Sequence, residues 1–249
     1  MSFTTATGEP VSIDLFLNIL ASSYIPSILT LILLVFLEYI SWTPSWKEKY
    51  NASQKVQDLY NQAWTYTLIH MWIIAPVAKA IVGLYYVVSD APIYHWTIAL
   101  PGTILTQGIG YAVGHSLMHT KELYWIHKFH HKFSEKTFVR PVSANAVTFT
   151  EFCFAYVLPI ITGLILLRPS SLVMDIIATT ISLTNLLIHT PEEVLPMDSF
   201  PDFLVTNIKH ASHHEVDLRK NYSAPIFDYD GILDKLGLID LNKNKPKKN

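Results

Sequence analysis

Between Asp14 and Glu38 run 23 residues without a formal charge, dense in Leu and Ile (SILTLILLVFL). At 1.5 Å per helical residue they reach roughly 34 Å, enough to cross the hydrocarbon core of a bilayer. In lipid the backbone must satisfy its own N–H and C=O groups, so this segment is expected to be a helix. No Lys or Arg precedes it. The first is Lys47, and Glu9 and Asp14 stand where a signal peptide would carry its basic region, so the segment reads as a retained anchor.

The rest of the chain repeats the pattern. Asn61 to Ser89 is interrupted only by Lys79, and Ala91 to Gly114 has no charge; Trp64, Trp72, Tyr85, Tyr86, Tyr94 and Trp96 supply interfacial aromatics to what reads as a helical hairpin. Two shorter uncharged runs, Phe152–Leu167 and Ile176–Pro191, flank Arg168-Pro169-Ser170-Ser171. At about 16 residues each they fit a spanning hairpin or a re-entrant pair, with the hairpin favoured. Half of the residues are apolar and only 15% are charged, with a mean hydropathy of +0.28, which excludes an ordinary soluble enzyme. A net charge of −2 leaves no basic excess, so nucleic acid is not an expected partner. The single cysteine, Cys153, rules out an intrachain disulfide.

Basic residues gather after the first anchor (Lys47, Lys49, Lys55), in the central polar stretch (Lys121, Lys128, Lys132, Lys136, Arg140) and at the C-terminus. The positive-inside rule makes these segments cytosolic and puts the N-terminus on the opposite side. Three helices then deliver the chain to the cytosol at Gly114, and the polar histidine-rich stretches begin there.

His115-Ser116-Leu117-Met118-His119 is H-x-x-x-H, whose two imidazoles stand one helical turn apart on one face. His127-Lys128-Phe129-His130-His131 is H-x-x-H-H, expected to present all three rings on one face, and His210-Ala211-Ser212-His213-His214 repeats it 83 residues later. His189 closes the last apolar run beside Glu192 and Glu193. Nine imidazoles are too many for one ion with four to six ligands, and suit two ions in one site. Fe, Zn, Cu and Ni all accept imidazole, and so many neutral ligands leave a high positive charge, for which Glu193, Asp217 and Asp230 are candidate counter-charges. His70, mid-helix, and His95, at a membrane boundary, are expected to serve other roles. The expected fold is all-α: an integral membrane bundle of about three to five transmembrane helices under a cytosolic, histidine-rich helical cap that holds a dinuclear metal site. Residues 1–114 form its N-terminal transmembrane helices, and 115–249 its His-box region, with a membrane hairpin at about 152–191.

From about His115 to Leu236 the chain resembles the fatty acid hydroxylase superfamily of membrane di-iron proteins, which includes sterol desaturases, sterol methyl oxidases and sphingolipid hydroxylases. The resemblance rests on the three ordered boxes, on Leu123-Tyr124-Trp125-Ile126-His127-Lys128, and on Asn221-Tyr222 followed by Tyr229-Asp230. It implies metal ligation by His115, His119, His127, His130, His131, His189, His210, His213 and His214. It also implies two Fe ions, O2 as co-substrate, and oxidation of an unactivated C–H bond of a membrane lipid to an alcohol or an alkene. One departure stands out. Members commonly carry Trp-Asp-Arg or Trp-Asp-Lys and then Gly-Thr, where this chain has Tyr229-Asp230-Gly231 and later Leu236-Gly237-Leu238.

No nicotinamide or flavin motif is present; Gly108-Ile109-Gly110 lies inside an apolar run. Electrons are therefore expected from NAD(P)H through a separate cytochrome b-type carrier and its reductase. The stretch from His189 to Tyr222 looks most like the sterol-acting members, with sphingolipids and fatty acyl chains as alternatives. Three rivals compete. A zinc protease needs H-E-x-x-H, which His214-Glu215-Val216-Asp217-Leu218 fails. A non-enzymatic metal transporter is expected to ligate in mid-membrane, and a bis-histidine haem protein leaves most of these rings without a role. Lys247 and Lys245, third and fifth from the end, give the K-x-K-x-x form expected of an endoplasmic reticulum retrieval signal on a cytosolic tail, with a solvated basic tail near anionic lipid as the alternative.

Overall fold

The computed structural model describes residues 8, 12–86, 92–134, 138–215 and 221–237. Asp217 and the C-terminal Lys245 and Lys247 lie outside them. Helix α1 (Ile13–Ile40) starts where the Ser12 hydroxyl accepts from the Leu15 N–H. Pro26 lies inside it, and the Pro26 carbonyl is taken up by Thr30 Oγ1 at 2.7 Å. Its outer face, with Ile25, Ile28, Leu29, Ile32, Val35 and Phe36, is exposed, as expected of a lipid-facing helix.

Helix α2 (Pro44–Ala52) carries Pro at its first turn and is capped by the Thr43 hydroxyl. Helix α3 (Gln54–Tyr85) is long and apolar enough to span, and includes a π turn at His70–Ile74. Helix α4 (Leu100–Met118) continues a π turn at His95–Ala99, so the uncharged run to Gly114 is helical. It extends one turn further, through His115. A single turn, α5 (Tyr124–His127), leads to a short 3-10 segment at His130–Lys132.

The two shorter apolar runs form a hairpin. Helix α6 (Phe149–Leu167) is capped by Thr148 and α7 (Ser171–Ile188) by Ser170, each long and apolar enough to cross a membrane. Between them Arg168 takes the left-handed conformation, φ 42°. In all, α1, α3, α6 and α7 qualify as spans by length and composition, and the described residues contain only helices and an isolated Leu204–Phe227 bridge. The molecule is an all-α membrane bundle. Helix α4 packs between α6 and α7, with Gly110 admitting Pro159; a Cβ there would lie 2.8 Å from the Pro159 Cβ.

The polar part sits on one end of this bundle. Helix α8 (Asn207–Glu215) carries the third histidine box, and α9 (Tyr229–Lys235) follows, capped by Asp228. At α9's end Gly237 adopts φ 69°, so Leu236-Gly237 supplies the left-handed stop that the departure from the family pattern replaces. The segment Arg140–Ala146 forms a floor under the histidines, and three helices stitch it down. Arg140 donates to Glu38 of α1 at 2.7 Å and to the Ser41 carbonyl, and lies 4.4 Å over the Trp46 ring. The Val142 N–H donates to Glu38 Oε1, Thr67 of α3 to the Val142 carbonyl, and Asn185 of α7 to the Ala144 carbonyl. Both charges of the Glu38–Arg140 pair are buried, and removing one partner from such a pair costs about 3–5 kcal/mol.

Candidate metal centre

Each histidine is delivered by an element end. His115 lies in the last turn of α4 and His119 caps it; His127 ends α5, His130 and His131 occupy the 3-10 turn, His189 caps α7, and His210, His213 and His214 lie on α8. The structure gathers all nine into two groups whose donor atoms lie within 4.8 Å of one another: His115, His119, His127, His131 and His213 in one, and His130, His189, His210 and His214 in the other. His70 and His95 belong to neither.

The expectation that each H-x-x-H-H presents its three rings together is corrected. In both boxes the i, i+4 pair shares a group, His127 with His131 and His210 with His214, while the intervening His130 and His213 cross to the other. On α8 the ring at i+4 is rotated about 40° from that at i and the ring at i+3 about 60° the other way, whereas His127 and His131 are brought together across the break between α5 and the 3-10 turn. Each box therefore bridges both groups.

The ring nitrogens are oriented from outside. Nδ1 of His115 meets the Tyr222 carbonyl at 2.8 Å, His189 the Asn185 carbonyl at 2.8 Å, and His214 the Phe133 carbonyl at 2.9 Å. A carbonyl only accepts, so these Nδ1 atoms carry the protons and their Nε2 atoms are bare lone pairs. His127 Nδ1 meets Glu151 Oε1 at 2.5 Å. Yet the Nε2 atoms face one another. His115 Nε2 lies 2.8 Å from that of His127 and 3.1 Å from that of His213, and His210 Nε2 lies 3.0 Å from that of His189 and 3.2 Å from that of His214. His210 can donate one proton to one neighbour, not to both, and His115 has none to give on this side. Lone pairs held this close in a buried site repel unless a cation stands among them. Donors about 2.1 Å from one ion stand roughly 3 Å apart at a right angle, which is the spacing found.

Burial keeps the rings neutral and ready to ligate. His127, His130, His210 and His214 are held well below the ordinary imidazole range, by desolvation first and by neighbouring imidazoles second. Desolvation brings His189 to about 4 and His119 to about 3.

The carboxylates expected to balance the charge do something else. Glu193 is exposed and accepts from Thr43 and Ser45, and Asp230 accepts the Ser223 N–H and hydroxyl, fixing the chain that follows the third box. The carboxylate at the site is the buried Glu151, in the first turn of α6. Glu151 went unremarked in the sequence because it stands alone, 24 residues from His127, at the rim of an apolar run. Its one signal is that position, since an acid at a membrane helix end needs a partner.

A fatty acid hydroxylase family model matches residues 99–233, more than half of the chain. The chain belongs to the fatty acid hydroxylase family. That span takes in α4, both histidine groups and the α6–α7 hairpin. Searches of curated proteins and of solved structures give no match.

Proposed function

We propose that the protein is an O2-dependent di-iron oxidoreductase that hydroxylates or desaturates a membrane lipid. The observation that carries this reading is the convergence of imidazole donor atoms in two groups, five and four rings strong, in a member of this family. We assign His115, His119, His127, His131 and His213 to one iron and His130, His189, His210 and His214 to the other. Bound there, two irons supply the redox chemistry with O2 that attacks an unactivated C–H bond. The chain's own part is to present neutral ligands, to orient them through backbone carbonyls and Glu151, and to keep water from the reaction by burial. Residues 1–114 serve as membrane scaffold and 115–249 as the reactive part, working as one functional unit.

The substrate reading follows from a cavity inside the bundle, between α1, α3, α6 and α7. It is lined chiefly by apolar side chains, Met71, Ile160, Ile177 and Ile181 among them. At its cap end stands Asn185, whose carbonyl holds His189. A long apolar molecule entering from the bilayer fits such a space. A sterol is the first choice, with sphingolipids and fatty acyl chains as alternatives. Electrons come from NAD(P)H through a cytochrome b-type carrier and its reductase at the cytosolic face, and residence in the endoplasmic reticulum belongs to the same reading. The non-enzymatic metal-transport reading is less well supported, because both groups lie at helix ends instead of mid-span.

Lipid analysis of cells expressing the wild-type chain or His130→Ala tests the function under 18O2. An 18O-labelled or newly unsaturated lipid dependent on His130 is expected. Identical lipid profiles in both strains contradict the proposal.

A further inference from the structure

The cavity carries a polar atom that the metal centre does not use. His70 lines it, at the π turn of α3, and is 1% exposed. Its Nδ1 lies 3.0 Å from the Asn145 carbonyl, so Nδ1 carries the proton and Nε2 is a lone pair. One ring face is covered by Phe152, stacked 4.5 Å away at an interplanar angle of 2°. Nε2 is the polar atom left to face the cavity, and among the described residues no group donates to it. An acceptor left without a donor in an apolar space is destabilising, so its place in the wall calls for a ligand that donates.

The charges around it narrow that ligand. The cavity's other end is marked by Lys79, nine residues or roughly 13 Å along α3. Lys79 is paired with Asp175, as Arg140 is with Glu38. A carboxylate could not donate to Nε2 and would find these cations taken. An ammonium would bring an unpaired charge into a low-dielectric space. A neutral hydroxyl meets the requirement. His70 is also tied to the floor segment under the histidines, through the Asn145 carbonyl.

We propose that His70 is a positioning and specificity residue, its Nε2 accepting a hydrogen bond from the hydroxyl of the lipid substrate and seating that lipid with its hydroxyl at the cap end of the cavity. This rests on the lipid-oxidase reading above and names its substrate class as hydroxyl-bearing lipids. The polar end of the lipid would then lie beside the floor segment, and the hydrocarbon would fill the belt between His70 and Lys79.

Binding to the full chain in phosphatidylcholine nanodiscs tests this with two pairs of tritiated probes: cholesterol and its 3-O-methyl ether, and N-palmitoylsphinganine and its di-O-methyl ether. Each ether closely keeps the lipid's shape and loses its hydroxyl donors, the sphinganine amide N–H being common to both members of its pair. For at least one pair the wild-type protein should prefer the alcohol by about tenfold, the upper end of a single hydrogen bond. His70→Phe should bring that ratio to about one while leaving ether affinity and iron content unchanged, and His70→Gln, whose Oε1 accepts, should restore part of it. A wild-type protein that prefers neither alcohol, as when water serves as the donor, overturns the proposal. So does a preference that survives in His70→Phe. The two readings fail separately. Alcohol preference without any O2-dependent turnover refutes the oxidase reading alone, and equal turnover of alcohol and ether refutes the role of His70 alone.

Discussion

The two histidine groups are built from the same boxes and differ in their surroundings. The group of four is buried at every ring, whereas His119 and His131 give the group of five a half-buried edge. The group of four is oriented by carbonyls, from Asn185 and Phe133; the group of five by the Tyr222 carbonyl and by a carboxylate, Glu151. The difference teaches that one group is sealed while the other keeps an accessible side and a buried carboxyl.

The largest effect is expected from removing a ring. His213→Ala or His210→Ala should lower product formation by more than the 10–100-fold typical of an outer-shell partner, without loss of membrane insertion. Because each box bridges the groups, metal content should fall in both, measured as metal per chain. Loss of one metal with full retention of the other would show that the groups are independent.

Glu151→Gln should sharpen the contrast. It replaces the carboxyl that meets His127 Nδ1 in one group and leaves the other's carbonyl partners in place, so metal affinity should drop about 10–100-fold for one ion per chain and little for the second. A uniform drop in competition titrations would argue against the division drawn here.

Chelation should then separate the two by access. Release of metal to excess chelator should be biphasic, one ion leaving early through the His119 and His131 edge and one late, followed by absorbance of the chelator complex. A single phase would erase the distinction.

Much of this was legible in the chain, and the reasons are local. Helices α1, α3, α6 and α7 follow from uncharged runs of sufficient length, and the nine histidines from spacings that put rings one turn apart. Three things were not legible. Glu151 meets His127 only because α6 starts beside α5, a tertiary fact with no periodic trace. The crossing of His213 depends on angular detail that a spacing rule blurs, as i+3 and i+4 both count as one face, and that of His130 on the break between α5 and the 3-10 turn. Glu193 and Asp230 looked like counter-charges by proximity in sequence, but Thr43, Ser45 and Ser223 claim them.

A smaller effect, common to both groups, is expected from pH. An unfolded imidazole takes up its proton near pH 6.5, whereas burial holds His189 at about 4 and His119 at about 3 in the fold. Between those values the unfolded chain binds more protons, so the metal-free protein should lose stability as pH falls from about 6.5 toward 4 and gain nothing from these rings above about 7.5. Thermal unfolding midpoints of the metal-free protein across this range check the sign. A midpoint that rises on acidification would contradict the neutral-ligand description.

The central claim is that two irons sit in two unequal histidine groups, and metal analysis joined to Mössbauer spectroscopy of the active 57Fe-enriched protein tests it most directly. The account predicts two irons per chain in two quadrupole doublets of equal area, one for each group. One iron per chain, or full activity with stoichiometric zinc in place of iron, would contradict it.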